Sequence, residues 1–414
     1  MKVFLTNHIK RKRFLDDRSE TASIKGQSST NIFGVSVFFI ALLLSIFVHS
    51  SCKPPTLKTD YTAHSPGALA PEAVVAPVWK KQLTTHRFSP QSPEELAGAE
   101  VSEDGRIVWI GSNDKMLYAF SVKNGKLLWK KSFDASVLAP PLYVPVRRFL
   151  FVGGGDGCLH ALDGLNGKTK WKYCAKGLIY KRPVYKHGVV YFTNTQNYLY
   201  AIDAETGKWR WSYDRTLPEG FGIRDHAGVA LYKNRIYTGF KDGYLVCLDS
   251  RSGDVLWTRD LREDAKEYVD IDSTPVVHDG VVYATSQGGG VYAITADMGA
   301  LKWNYGVSSA SGVTISQDRI YFVSAKKGVH SLTMDGKLVW RQKLDAGTAT
   351  RPIVYRDLLI FNTSGKGTYF INKKTGAFVQ RLDFGFGASG PLTLFRDFLF
   401  LLENGGEFHV MRLY

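Results

Sequence analysis

Asp270-Ile271-Asp272 sets two carboxylates two residues apart. In an extended chain such residues face the same side. The pair can therefore bind a hard cation, accept an Arg or Lys from a partner, or cap strand ends. Pro218-Glu219-Gly220-Phe221-Gly222-Ile223-Arg224 offers a second kind of chemistry. Phe221 and Ile223 are apolar where a solvated loop is usually polar, and Arg224 adjoins them. Two hydrophobes beside an arginine form an interface anchor, or else tuck under their own loop. Arg224-Asp225-His226 puts an acid beside a possible base, but neighbours in an extended segment point apart, and no Ser or Cys nucleophile is tied to them by a motif. Gly153-Gly154-Gly155-Asp156-Gly157 has the glycine content of a phosphate or calcium loop. No Lys-Ser/Thr and no helix follows it, so it reads as a turn between strands. No catalytic residue, metal site or cofactor is expected.

The four cysteines are too few for a disulfide scaffold. Cys247 stands where sister segments carry Ala and reads as a small buried hydrophobe. Cys158 and Cys174 flank one turn at about equal distance. They are a candidate cross-strand disulfide if the compartment is oxidising and their Cβ atoms lie within about 4.5 Å.

The element that positions these residues is a repeat. Asp242 to Trp257, DGYLVCLDSRSGDVLW, reads strand, turn, strand. DKMLYAFSVKNGKLLW, DGCLHALDGLNGKTKW, QNYLYAIDAETGKWRW and GGGVYAITADMGALKW repeat it, ending at Trp129, Trp171, Trp211 and Trp303. A shorter copy ends at Trp340, and one that has lost its Trp ends at Gln380. The turn glycines Gly125, Gly167, Gly207, Gly253, Gly299, Gly336 and Gly376 are 42, 40, 46, 46, 37 and 40 residues apart. Each unit also has an upstream strand pair, as in Ser273 to Tyr283, Arg182 to Tyr191 and Arg351 to Ile360. This spacing, with four short strands per unit, marks β-propeller blades.

Seven copies carry the second turn, and an eighth is split. The chain ends after three strands at Phe408 to Leu413, and Pro77 to Leu83, with Trp79, supplies an orphan outer strand. Pairing them closes the ring and removes an open sheet edge. The expected fold is all-β: an eight-bladed propeller over 78–414, four antiparallel strands per blade, its last blade closed by an N-terminal strand.

The chain carries a net charge of +15. Residues 1–32 hold seven of the 53 basic and three of the 38 acidic residues, which leaves +11 from Lys53 onward. No nucleic-acid motif accompanies the charge, which is spread over all blades, so nucleic acid is not an expected partner. Lys10-Arg11-Lys12-Arg13 and Lys25 precede an apolar run, 32–48, within a signal sequence spanning 1–51. The run stops at His49-Ser50-Ser51-Cys52. Cys52 is then a lipidated N-terminus, or the run is an uncleaved inner-membrane anchor; either places the propeller in the periplasm. Residues 52–77, rich in Pro, read as an extended tether.

The repeats resemble the quinoprotein-type propeller repeat over essentially all of 78–414, a family that includes quinone-cofactor dehydrogenases. Those enzymes bring adjacent cysteines and larger blades, and neither is present here. The signal, Cys52, the tether and the compact blades resemble more closely the propeller lipoproteins of the outer-membrane β-barrel assembly machinery. Phe221, Ile223 and Arg224 match that family's apolar-plus-Arg loop, and Asp270 and Asp272 its Asp-x-Asp one blade later. The resemblance implies a non-catalytic scaffold, monomeric within a complex and lipid-anchored to the outer membrane. Its implied partners are the periplasmic domains of the barrel subunit and unfolded outer-membrane proteins. A general periplasmic binding propeller is the alternative.

Overall fold

In the computed structural model, residues 58–60, 74–84, 94–215, 226–262, 270–344 and 347–414 are described. Among them, eight four-stranded antiparallel sheets follow one another, one of them extended by a fifth strand. Blade 1 comprises Ala99–Val101, Ile107–Gly111, Met116–Ser121 and Leu127–Ser132. Blades 2 to 7 repeat the pattern and begin at Leu142, Val184, Ala230, Val276, Thr314 and Ile353. Blade 8 takes three strands from Thr393–Phe395, Phe398–Leu402 and Glu407–Leu413, and its outer strand from Val75–Gln82. The N-terminal closure expected from Trp79 is present: Trp79 is in register with Val410.

Eight apolar clusters hold the sheets together, one at each junction. Phe361 and Leu359 of blade 7 pack with Tyr321 and Val323 of blade 6. Ile360 and Phe370 face the other way, onto Leu399 and Met411 of blade 8. Phe400, Phe408 and Val410 of blade 8 then pack with Val108, Ile110 and Phe120 of blade 1, which closes the circuit. Middle strands are buried on both faces, so they read as unbroken apolar runs rather than as alternation.

The outer strands carry the tryptophans. Each ring packs on the turn glycine of the following blade. A Cβ at Gly125, Gly167, Gly207, Gly253, Gly299, Gly336 or Gly376 would lie 2.6–2.8 Å from the rings of Trp79, Trp129, Trp171, Trp211, Trp257, Trp303 and Trp340 respectively. These glycines also have φ between +66° and +83°, so both space and backbone require glycine. The indole N–H donates into the same turn, as from Trp79 to the Val122 carbonyl at 2.7 Å and from Trp171 to that of Ala204 at 3.0 Å. Trp211 is the exception; the corresponding Ser250 carbonyl accepts the Tyr191 hydroxyl instead, at 2.8 Å.

Gln380 has no such turn ahead of it, because blade 8 ends without one. Its Oε1 instead accepts the Val74 amide at 3.3 Å, at the start of the closing strand.

Two features depart from the sequence reading. The closing strand begins at Val75, inside the stretch expected as tether. Pro77 is tolerated because it lies on an outermost strand beside a register shift, where its missing N–H costs no ladder bond. Lys58–Asp60 adds a fifth strand to blade 7, antiparallel to Arg381–Asp383. The Pro-rich composition around both segments masks the strand signal.

Gly207→Ala puts a methyl group against Trp171, whereas Gly188→Ala has a similar φ of +78° and nothing within 4 Å. Denaturant unfolding should show a loss of about 1 kcal/mol for Gly188→Ala and about 3 kcal/mol for Gly207→Ala. Equal losses would mean that the ring contact contributes nothing.

Candidate functional site

In each blade the turn between second and third strands and the connection to the next blade lie at one end of the antiparallel sheet; the other two turns lie at the opposite end. Asp270 and Asp272, which precede the first strand of blade 5, therefore share a rim with the connection between blades 3 and 4. Ile271 between them is fully buried in the cluster joining blades 4 and 5. Asp272 is half-buried: its Oδ2 accepts from the Gln287 side-chain amide at 2.6 Å, and its Oδ1 from Ser273 Oγ at 3.3 Å. Asp270 is only 3% exposed, and its carbonyl accepts the Gln287 backbone N–H at 3.1 Å. The two carboxylates thus differ. Asp272 stands at the surface, while Asp270 is built into the blade. Gln287, which ties the motif to the adjacent turn of blade 5, carries no signal in the linear sequence.

Phe221, Ile223 and Arg224 lie outside the described residues, as does Cys52. The residues that launch and receive the connection containing the first three are described. Arg215 Nε bonds Asp242 Oδ2 at 2.5 Å, and its guanidinium lies 4.1 Å from the centroid of the Tyr244 ring. Arg262, at the end of the next outer strand, lies 4.8 Å from the same ring and holds the Asp260 carboxyl down at about 2. Two arginines thus flank one tyrosine at the points where the chain leaves blades 3 and 4 for rim connections. Both are cation–π contacts, the Arg215 one partly buried and the Arg262 one open to solvent. Sequence reasoning missed them because the three residues come from three different strands.

His226, where the connection re-enters described chain, is 1% exposed, and neither ring nitrogen has a hydrogen-bond partner among the described residues. Burial, followed by Lys181 and Lys241, holds its pKa well below the ordinary value. The imidazole is neutral, and no nucleophile contact accompanies it among the described residues.

Gly153 to Gly157 forms the turn between the second and third strands of blade 2. Cys158 and Cys174, opposite each other across the next strand pair, are joined as a disulfide with Cα atoms 4.0 Å apart. Asp156 meets His160 Nε2 at 3.0 Å and Lys172 Nζ at 3.4 Å. Burial works against its charge, but the Cys158 N–H, His160 and Lys172 outweigh that and lower its pKa. Cys247 is buried, and burial pushes its thiol up to about 11, an unreactive state.

A third cluster occupies the rim of blade 8. Burial, and then Glu407, push Glu403 up to about 8. Burial holds His409 down at about 4. Close by, Glu95 is fully buried and accepts from Thr84 Oγ1 at 3.2 Å and the Asn113 N–H at 3.1 Å, where the closing strand passes into blade 1.

Comparison with known proteins places this geometry. The family described as "Outer membrane protein assembly factor BamB" matches residues 113–333 and 287–379. A relative of that description from Yersinia pestis is 24% identical over 339 residues, covering 79% of this chain and 75% of its own. The quinoprotein alcohol dehydrogenase PedH of Pseudomonas putida is 34% identical over 133 residues, 30% of this chain and 22% of its own. The crystal structure of BamB from Moraxella catarrhalis shares the fold with a TM-score of 0.68 and 19% identity, covering 82% of this chain and 98% of that one.

His226 makes the rim acid-sensitive. Its folded pKa is depressed, so its contribution to stability is fully present above the unfolded value of about 6.5 and is lost as pH falls below it. His226→Met should flatten that part of the stability–pH profile measured by denaturant unfolding. An unchanged slope would mean that His226 does not titrate on unfolding.

Proposed function

The chain belongs to the family of the outer membrane protein assembly factor BamB, and we propose that it works there as a non-catalytic scaffold, binding the periplasmic domains of the barrel subunit through one rim. The observation that carries this reading is the family match across 113–379. The rim around blades 4 and 5 supports it. Phe221 and Ile223 would supply buried area, about 1.5–3 kcal/mol for each fully buried side chain. Arg224 and Asp272 would fix register through charge-assisted bonds. Asp270, buried beneath Asp272, would hold the acidic corner in shape. Arg215, Tyr244 and Arg262 would stiffen the exits into both rim connections and so reduce the ordering cost of binding.

The same reading places the propeller on the periplasmic side of the outer membrane, tethered by lipid on Cys52, with unfolded outer-membrane proteins as further ligands. Among the described residues no helix is long and apolar enough to cross a membrane, and the apolar run 32–48 lies outside them. The oxidised Cys158–Cys174 pair suits an oxidising compartment. A quinone-cofactor dehydrogenase is the second reading. It is favoured by the 34% identity to PedH, which spans only 30% of this chain, a stretch of repeats that both kinds of propeller share.

Co-purification from solubilised envelope tests the scaffold reading. Arg224→Ala and Asp272→Ala should each weaken recovery of the barrel subunit at least about tenfold, a loss of about 1.4 kcal/mol or more, with the melting temperature nearly unchanged. Asp270→Ala should lower the melting temperature as well. Full recovery with both surface variants would place the interface elsewhere.

A further inference from the structure

We propose that Glu403, Glu407 and His409 form a binding site for a divalent cation of the zinc class on the rim of blade 8. Their donor atoms all lie within 4.8 Å of one another. Glu407 and His409 are two residues apart on one strand, so they project from the same face. Glu403 joins them across the preceding turn, which is closed by the Gly406 N–H to the Glu403 carbonyl at 2.9 Å and the Glu403 N–H to the Glu407 carbonyl at 3.1 Å.

His409 is the independent sign of a ligand. It is 7% exposed, yet its Nε2 makes no hydrogen bond among the described residues. That nitrogen stands 3.3 Å from Glu407 Oε2, inside the cluster rather than turned away from it. The ring is held against Phe384 with centroids 4.8 Å apart, which fixes its direction. That 3.3 Å contact is an ion pair only with the ring protonated; a neutral imidazole and a carboxylate are satisfied together by a shared cation.

The donor set narrows the ligand. Two carboxylates and one imidazole are a three-residue zinc set that leaves a fourth position for water. Calcium and magnesium prefer oxygen throughout, and without a thiolate the site does not favour the softest metals. Zinc bonds of about 2.0–2.2 Å require the donors to draw together slightly, a movement that glutamate side chains permit. Entry lies along Glu407, whose side chain is 21% exposed, past the half-exposed Lys80, whose Nζ sits 3.0 Å from Glu407 Oε1. A second three-residue group among the described residues, Asp156, Cys158 and His160, is not comparable, because the Cys158 sulfur is in a disulfide. The blade 8 site lies across the ring from blades 4 and 5, so it is independent of the partner reading.

Full-length, untagged protein in detergent, stripped with chelator and titrated with Zn²⁺ by calorimetry, tests this. One saturable equivalent should bind and raise the melting temperature by about 3 °C at a hundredfold excess over Kd. Glu403→Gln and His409→Ala should each abolish that equivalent, while Asp156→Asn keeps it. Glu403→Gln nearly preserves shape and decides the matter if His409→Ala does not fold. Absence of a saturable equivalent, or one that persists in Glu403→Gln, overturns the proposal.

Discussion

A tryptophan ring laid on the turn glycine of the next blade is the contact on which the rest of the structure depends. It couples each outer strand to its neighbour's edge. The outer strand is the least buried part of a blade, with Leu128 45% and Leu256 46% exposed. Without the ring, blades would meet through their inner and middle strands alone. The contact also accounts for its own exceptions. Blade 7 ends in Gln380 instead of Trp because blade 8 has no turn to receive one, and the glutamine side chain holds the entering strand at Val74. The closing strand brings Trp79, which docks on Gly125 of blade 1. The circuit is therefore closed by the repeat's own interaction, used out of sequence order.

A closed ring of this kind fixes where function can sit. Strand interiors are committed to the junction clusters, so recognition falls to the two rims. On the rim shared by blades 3, 4 and 5, Asp270 and Asp272 form an acidic corner, and the connection that holds Phe221 and Ile223 leaves and re-enters the described chain at Arg215 and His226. The anchors beneath are stiff: Arg215 and Arg262 on Tyr244, Gln287 on the Asp270–Asp272 backbone and side chain. A scaffold needs that stiffness, because its affinity comes from surfaces already in place rather than from ordering on contact. Similarity to quinoprotein dehydrogenases belongs to the repeat itself, and the repeat sets the fold, not the chemistry.

Much of this was legible in the residue pattern, because turns and rings are local signals. Seven turn glycines, six repeat tryptophans and one orphan Trp79 specify blade count and closure without any long-range information. The strand at Lys58–Asp60 and the start at Val75 were not legible, since proline-rich composition argues for tether and only the waiting edge makes a strand of them. The Asp-x-Asp motif was found, but its asymmetry was not. Alternation places both carboxylates on one side, and it cannot say that Gln287 from a neighbouring turn holds the backbone behind them. Contacts assembled from separate stretches of chain, such as Arg215–Tyr244–Arg262, have no period to betray them.

The proposed scaffold role requires a closed, rigid propeller that presents the rim of blades 4 and 5 to a partner subunit. Amide hydrogen exchange of the full-length chain, with and without the periplasmic domains of the barrel subunit, tests it most directly. The account predicts slow exchange at 75–82 and 407–413 in both states, with protection gained on binding confined to 216–226, 263–273 and the turn at Gln287. Rapid exchange at 407–413, or protection gained on the opposite rim, would contradict it.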